Sequence, residues 1–144
     1  MSREYPERPI VGIGAVVWRG EKVLLIRRGK PPRLGQWSLP GGALRLGETL
    51  ADGVAREVLE ETGLTLARLE LLTTVDLIER DETGGVRFHY TLVDFTAEAP
   101  AGEAIPGDDA SAAGWFTLAE VRELGLWSET VRIIELAAAG RWSS

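Results

Sequence analysis

The segment that most constrains the fold runs from Thr49 to Gly63 and reads TLADGVAREVLEETG. A threonine stands where a helix N-cap belongs, three residues before an acid, and a glycine stands where a C-cap belongs. Val54 and Val58 recur at helical spacing, so one face of the segment can pack against a core. The segment therefore predicts a helix over Leu50–Thr62.

The acids of this helix lower its stability rather than raise it. Glu57 and Glu61 are one turn apart, and Glu60 and Glu61 stand near the negative, C-terminal end of the helix dipole. Gly53 precedes Glu57 by one turn and is expected to leave open space above the carboxylates. A solvated acidic face, partly neutralised by Arg56, is the ordinary explanation of such a pattern. The neighbouring glycine-rich backbone favours another, that hard divalent cations such as Mg²⁺ bind these carboxylates and bridge substrate phosphates.

Charge and composition narrow the class of partner. The net charge is -6 and the isoelectric point is about 4.9, so the chain lacks the basic surface of proteins that bind nucleic acid polymers. The absence of cysteine excludes disulfides and thiolate catalysis. The N-terminal sequence MSREYPERPI has no apolar run of signal-peptide length, and no stretch reaches the roughly 20 apolar residues of a membrane span. We expect a cytoplasmic protein with no membrane partner, in which residues 1–144 form one domain.

Strands are predicted on both sides of the helix. Ile10–Trp18 and Val23–Arg28 have the pattern of a hairpin, and two β-leaning segments around the turn ETGG have the pattern of a second, longer one. Proline and glycine predict loops at Gly29–Gln36 and Pro100–Gly114. A last helix is predicted in SETVRIIELAAAG, from its serine to its glycine. A mixed sheet between helices fits this order of elements.

The acids of the helix belong to a longer pattern of fixed spacing that begins at a glycine upstream. Its members, in chain order, are Gly42, Glu48, Arg56, Glu57, Val58, Glu60, Glu61, Gly63 and Leu64. They match the pattern G-x5-E-x7-R-E-U-x-E-E-x-G-U, in which U is aliphatic, at every fixed position. This pattern is the Nudix box, and the strands on either side of it also resemble those of a Nudix domain.

The resemblance implies an α/β fold, an α/β/α sandwich with a central mixed β-sheet. It implies an enzyme that hydrolyses the pyrophosphate bond of a nucleoside diphosphate linked to another group, with Mg²⁺ or alternatively Mn²⁺ as cofactor. Three box glutamates and a glycine carbonyl become the expected metal ligands, namely Glu57, Glu60, Glu61 and Gly41, with Gly42 beside the substrate. Arg56 is expected to orient a box glutamate, and Glu48 to support it. The general base stays open between Glu57 and a later acid, of which Asp109 is the preferred candidate.

Within the family, the chain looks most like bacterial ADP-ribose pyrophosphatases. Arg27 and Arg28 could bind a substrate phosphate, although strand alternation allows only one of them to face the site. Trp37 could stack on an adenine, and core packing is its alternative role. Two other functions stay open: a MutT-like nucleoside triphosphate hydrolase, and a non-catalytic module that senses nucleotides. The expected partner is a small nucleotide, and the resemblance is also compatible with a homodimer.

Overall fold

The computed structural model describes residues 3–29 and 33–142, so part of the predicted loop Gly29–Gln36 lies outside the described residues. The helices are α1 (Leu50–Thr62), α2 (Leu118–Glu123) and α3 (Ser128–Trp142). The strands are β1 (Ile10–Arg19), β2 (Lys22–Arg28), β3 (Trp37–Ser38), β4 (Gly41–Ala43), β5 (Ala67–Arg80), β6 (Val86–Glu98) and β7 (Ala110–Phe116). No helix within these two ranges is long and apolar enough to cross a membrane.

The strands form one mixed sheet, as the sequence predicts. Its main order is β3-β2-β1-β6-β5, with β4 also paired to β1 and β7 to β2. Strands β1 and β6 are parallel, whereas β1 pairs antiparallel with β2 and with β4. Both predicted hairpins are present, because β1 turns into β2 and β5 turns into β6. The central strand β1 therefore joins β4, which precedes α1, to the rest of the sheet.

Alternation along β1 divides the core into two layers. Ile13 and its neighbours on one face pack against Val54 and Val58 of α1. Val16 on the other face packs in a cluster with Ile134 of α3. Helices thus cover both faces of the sheet, which confirms the α/β/α sandwich. The α1 layer carries Glu57, Glu60 and Glu61, so these three candidate metal ligands lie on one side of the sheet.

Two sequence expectations were wrong about element boundaries. The predicted loop Pro100–Gly114 ends early, because β7 begins at Ala110 and pairs with β2 in the register Ile26↔Ala113. Small residues with little strand propensity are held there by tertiary pairing to a buried strand. Helix α3 likewise continues through Gly140, which was expected to stop it.

Candidate active site

Helix α1 has the bounds that its cap residues predict. The Thr49 hydroxyl accepts a hydrogen bond from the backbone N–H of Asp52 at 3.1 Å, and Gly63 adopts the left-handed conformation with a φ of 74°. Gly53 does not leave open space, because a Cβ there would meet Ile13 at 2.5 Å and the Glu48 carboxylate at 2.9 Å. This glycine lets the helix pack closely on β1, which fixes the height of the acids above the sheet.

Arg56 lies at the centre of the acidic cluster. Its Nε donates to Glu48 Oε2 at 2.6 Å and its Nη2 to Glu48 Oε1 at 2.9 Å. Its Nη1 contacts Glu57 Oε1 at 2.8 Å and Glu60 Oε2 at 3.4 Å, and Nη2 also donates to the carbonyl of Ala43 at 3.2 Å. The Arg56 guanidinium thus contacts three glutamates, one in the loop before α1 and two on α1 itself.

Glu48 is held in its charged form. Its hydrogen bonds with the Arg56 guanidinium, and then with the backbone N–H of Arg45, lower its pKa to about 2. A carboxylate that stays ionised and bidentate fixes the plane of the guanidinium. Glu48 therefore orients Arg56, and its supporting role in catalysis stays a prediction.

Glu61 is the buried acid of the cluster, with only 6% of its surface exposed. Its Oε1 accepts a hydrogen bond from the backbone N–H of Gly41 at 3.0 Å. Burial is the main cause that raises its pKa to about 8; the Gly41 hydrogen bond opposes the rise, and the charges of Glu57 and Asp108 add to it. The surroundings of Glu61 thus lack the positive charge that an ionised carboxylate needs.

The backbone of β4 lies directly against the carboxylate of Glu57. A Cβ added to Gly42 would lie 2.5 Å from the Glu57 carboxyl carbon, so a side chain at this position would displace that carboxylate. Register pairs Gly42 with Ile13 and Gly41 with Gly14, which ties this backbone to the central strand. The glycines that the sequence singles out therefore let main-chain atoms approach the acids closely.

The donors of this cluster fit a hard divalent cation by their chemistry. Glu57, Glu60 and Glu61 have carboxylate oxygens, and Gly41, whose N–H contacts Glu61, has a backbone carbonyl; these are the types of donor that Mg²⁺ prefers. Two observations agree with a cation bound at this cluster. Strand β4 lies close against the Glu57 carboxylate, and the raised pKa of Glu61 indicates that its carboxylate lacks a neighbouring positive charge. Over residues 3–29 and 33–142, however, no three such side chains converge into a ready metal site. Arg56 holds Glu57 and Glu60, so these carboxylates would have to turn to share a cation.

The loop before β7 brings one aspartate close to this cluster. Backbone hydrogen bonds from Ile105 to Thr62 and from Gly107 to Glu61 fasten the loop to the end of α1. The charge of Asp108, the neighbour of the predicted Asp109, acts on Glu61. The sequence shows two adjacent aspartates here and offers no sign of where either side chain points. The role of Asp109, whose carbonyl accepts a hydrogen bond from Gly29, stays a prediction.

The predicted substrate contacts outside the box are spread over the sheet. Arg27 is exposed, and its Nε donates to the hydroxyl of Ser111 at 3.2 Å; Arg28 is half-buried. Trp37 packs edge-on against Phe116, with ring centroids 5.0 Å apart, in the α3 layer. That layer is the face of the sheet opposite α1, so Trp37 does not lie in the acidic cluster.

Comparison with known proteins decides the family. The model of the NUDIX domain matches residues 8–137 of the chain. The chain belongs to the Nudix family. It is a Nudix pyrophosphohydrolase, and enzymes of this family generally act with divalent metal ions.

The proteins that this chain resembles differ in the activities that their names describe. The ADP-ribose pyrophosphatase of Methanocaldococcus jannaschii is 34% identical over 123 residues, which cover 85% of this Nudix chain and 70% of the relative. A MutT NUDIX hydrolase from Burkholderia pseudomallei has a solved structure with a TM-score of 0.78 and 35% identity, over 90% of this chain and 98% of that one. The NUDIX domain of Shewanella oneidensis NrtR, solved with ADP ribose, has a TM-score of 0.79 and 29% identity, over 94% and 90% of the two chains.

Proposed function

We propose that this Nudix hydrolase cleaves the pyrophosphate bond of ADP-ribose to give AMP and ribose 5-phosphate, with Mg²⁺ as its cofactor and Mn²⁺ as a substitute. The observation that carries the reaction is the cluster in which Arg56 joins Glu48, Glu57 and Glu60. The choice of ADP-ribose is supported by the relative from M. jannaschii and by the ADP ribose complex of the NrtR domain.

In this proposal the metal is held by Glu57, Glu60 and Glu61 together with the carbonyl of Gly41. A bound Mg²⁺ supplies neutralising charge to the pyrophosphate and makes water a better nucleophile at neutral pH. Arg56 positions Glu57 and Glu60 before they turn toward the cation, since its guanidinium contacts both while Glu48 fixes its plane. The proton of the attacking water passes to a carboxylate, either that of Glu57 or that of Asp109 in the loop before β7.

The balance of charge supports a role for these residues beyond folding. The cluster and the adjoining loops carry five acids against the guanidinium groups of Arg45 and Arg56, and the acids are Glu48, Glu57, Glu60, Glu61 and Asp108. Like charges so close together oppose folding unless cations bind among them. A substrate pyrophosphate is itself anionic, so both the site and its ligand need the same cations.

The substrate is tested by turnover of purified protein with Mg²⁺. ADP-ribose and a panel of nucleoside triphosphates are compared at equal concentration, and the products are separated by anion-exchange chromatography. We expect AMP and ribose 5-phosphate from ADP-ribose, at a rate well above that for any triphosphate. Much faster turnover of triphosphates would instead assign the MutT-like function, for which the similar B. pseudomallei structure is the supporting observation.

A non-catalytic, nucleotide-sensing module is the third function to be tested. Glu60→Gln and Glu61→Gln keep the size of each side chain and remove its charge. We expect either change to lower kcat at least about 100-fold, because both are proposed metal ligands. Unchanged rates would remove the metal-ligand assignment, and no turnover of any nucleotide by the wild-type protein would support the sensing module.

We infer that residues 1–144 act as a single Nudix domain and that the protein works on a small nucleotide in the cytoplasm. We also infer a homodimer, which light scattering on the purified chain tests.

A further inference from the structure

Arg45 is a second guanidinium at the acidic cluster, and it stands in the loop between β4 and α1. Its backbone is fixed: the N–H of Arg45 donates to Glu48 Oε1 at 3.1 Å, and its carbonyl accepts from the N–H of Glu48 at 3.1 Å. Its side chain is 64% exposed, and Nη2 lies 3.5 Å from Glu60 Oε1. Arg45 thus has a main chain fixed by hydrogen bonds and a mostly exposed guanidinium that contacts a proposed metal ligand, Glu60.

Arg56 cannot serve as a phosphate-binding residue while it holds the cluster together. A guanidinium has five N–H donors, spread over its three nitrogens. In Arg56, Nε, Nη1 and Nη2 all have partners among Glu48, Glu57, Glu60 and the carbonyl of Ala43. When Glu57 and Glu60 turn toward a cation, only Nη1 is released, because Nε and Nη2 remain paired with Glu48 and with the carbonyl of Ala43. A substrate phosphate would have to displace Glu48, with the loss of its charge-assisted hydrogen bonds, to be bound at two points.

The guanidinium of Arg45, unlike that of Arg56, has few hydrogen-bond partners in the protein. Its guanidinium makes one long contact with Glu60, and most of the side chain is in solvent. Exposed ion pairs of this kind contribute little to stability, so the contact is easily exchanged for another. Over the described ranges, the ion pairs to Glu57 and Glu60 come from Arg45 and Arg56 alone. Arg45 is therefore the cation that can leave the cluster without breaking it.

We propose that Arg45 is a substrate-binding residue of this Nudix hydrolase, which contacts Glu60 in the metal-free site and a phosphate oxygen of the substrate once Glu60 binds a cation. The inference rests on the proposed metal-dependent hydrolysis of a pyrophosphate and adds a residue to it. The anchored backbone of Arg45 reduces the entropy that is lost when its side chain binds a ligand. Its guanidinium can bind two phosphate oxygens at once, which a lysine cannot do.

The proposal predicts effects of opposite sign on two ligands. Removal of the Arg45 charge takes away a cation that competes for Glu60, so metal binding stays equal or becomes up to about fivefold tighter. The same change removes a phosphate contact, so the affinity for pyrophosphate should fall at least about tenfold. A residue that only supports the local structure would weaken both ligands together.

The test compares Arg45→Ala and Arg45→Lys with Arg122→Ala. Arg122 is a matched control, because it is an exposed arginine paired with Glu135 at 3.1 Å on α2, outside the acidic cluster. Isothermal calorimetry measures the binding of Mn²⁺ alone, and then of inorganic pyrophosphate with saturating Mg²⁺. Neither titration requires turnover of ADP-ribose, so a wrong substrate assignment does not affect the result. Kinetics with whichever nucleotide the wild-type protein hydrolyses then separate KM from kcat.

We expect Arg45→Ala to bind Mn²⁺ at least as tightly as the wild type and pyrophosphate at least about tenfold more weakly, with a matching rise in KM. Arg45→Lys should lie between the two, and Arg122→Ala should match the wild type. Pyrophosphate affinity and KM within twofold of the wild type would overturn the proposal, and so would weaker binding of Mn²⁺ by Arg45→Ala.

Discussion

Arg56 and Glu48 form a two-point pair, in which Nε and Nη2 of the arginine donate to separate oxygens of the glutamate at 2.6 and 2.9 Å. The pair joins α1 to the loop that precedes it. It leaves Nη1 of Arg56 directed at Glu57 and Glu60, which are the acids proposed to bind metal. The orientation of those acids therefore depends on a glutamate that does not itself belong to the metal-binding set.

Substitution of Arg56 by lysine tests this dependence. Lysine keeps the charge but cannot form the planar pair with Glu48, so we expect kcat to fall about 10- to 100-fold, as for other changes in residues that orient metal ligands. Far-ultraviolet circular dichroism should show an unchanged fold. Arg122→Lys, in the exposed pair with Glu135, is the control and should keep full activity. Equal rates for both variants would show that the two-point geometry has no role in catalysis.

A side chain at Gly42 is predicted to displace the carboxylate of Glu57. A Cβ at this position would lie within 2.7 Å of all three heavy atoms of the Glu57 carboxylate. We expect Gly42→Ala to lower kcat about 100-fold, because displacement of a catalytic group by about an ångström has effects of this size. Gly140→Ala is the control: nothing lies within 4 Å of its added Cβ, and alanine favours a helix by about 1 kcal/mol. A fully active Gly42→Ala would mean that the position of Glu57 is not critical.

The parts of the site that follow local rules could be predicted from sequence. The bounds of α1 agree with its cap residues, Thr49 and Gly63, because caps act through backbone groups of the same helix. The glutamates and Arg56 come together because they share one helix and a fixed spacing. Glu48 joins them through a contact between neighbouring elements, which the Nudix pattern implies and local rules alone do not.

The parts that depend on tertiary packing could not be predicted. Gly53 was expected to clear space for ligands, but it contacts Ile13 of β1, and no local pattern shows which strand crosses a helix. The small residues of β7 have a loop-like composition and become a strand only through pairing with β2. The approach of Asp108 to Glu61 depends on a backbone turn, with Asp108 at a φ of 53°, that the sequence does not reveal.

Metal binding should stabilise the folded chain. A cation that binds only the folded site stabilises it by about 2.7 kcal/mol when its concentration is 100 times its Kd, which corresponds to a rise in Tm of roughly 5 to 10 °C for a chain of this size. We expect this shift with Mg²⁺ or Mn²⁺ in differential scanning calorimetry. Glu61→Gln should lose most of it, whereas Glu135→Gln, in the exposed pair on α3, should keep it. An equal rise in Tm for both variants would show that the metal binds at a site that does not include Glu61.

The pH dependence of metal affinity should reflect Glu61. Burial raises its pKa to about 8, so without metal it is mostly protonated below that pH, and a cation must displace the proton. Affinity is therefore expected to rise with pH, up to about tenfold per unit, and to level off above about pH 8. Calorimetry in two buffers of different ionisation enthalpy counts the released proton. In Glu61→Gln the proton release should disappear; its persistence would assign the proton to another group.

The stability of the protein should depend on pH through Asp94, which is a buried acid in the layer opposite α1. It is 6% exposed, and its Oδ2 has no hydrogen-bond partner in the described part of the chain. Burial raises its pKa to about 6, while the charge of Arg132 opposes the rise. The unfolded chain ionises this group near pH 4 and the folded chain only near pH 6, so stability is lost as pH rises through that window and stays lower above it. The loss is of the order of 3 kcal/mol for a shift of about two units.

Asp94→Asn cannot ionise, so its stability relative to the wild type should increase by up to this amount between about pH 4 and pH 7.5, as measured by urea denaturation. Thr96→Val is the control: it removes the acceptor of the Trp18 indole hydrogen bond on the same strand, and its effect should not change with pH. A constant difference between Asp94→Asn and the wild type would show that the Asp94 carboxylate is charged and compensated in the folded protein.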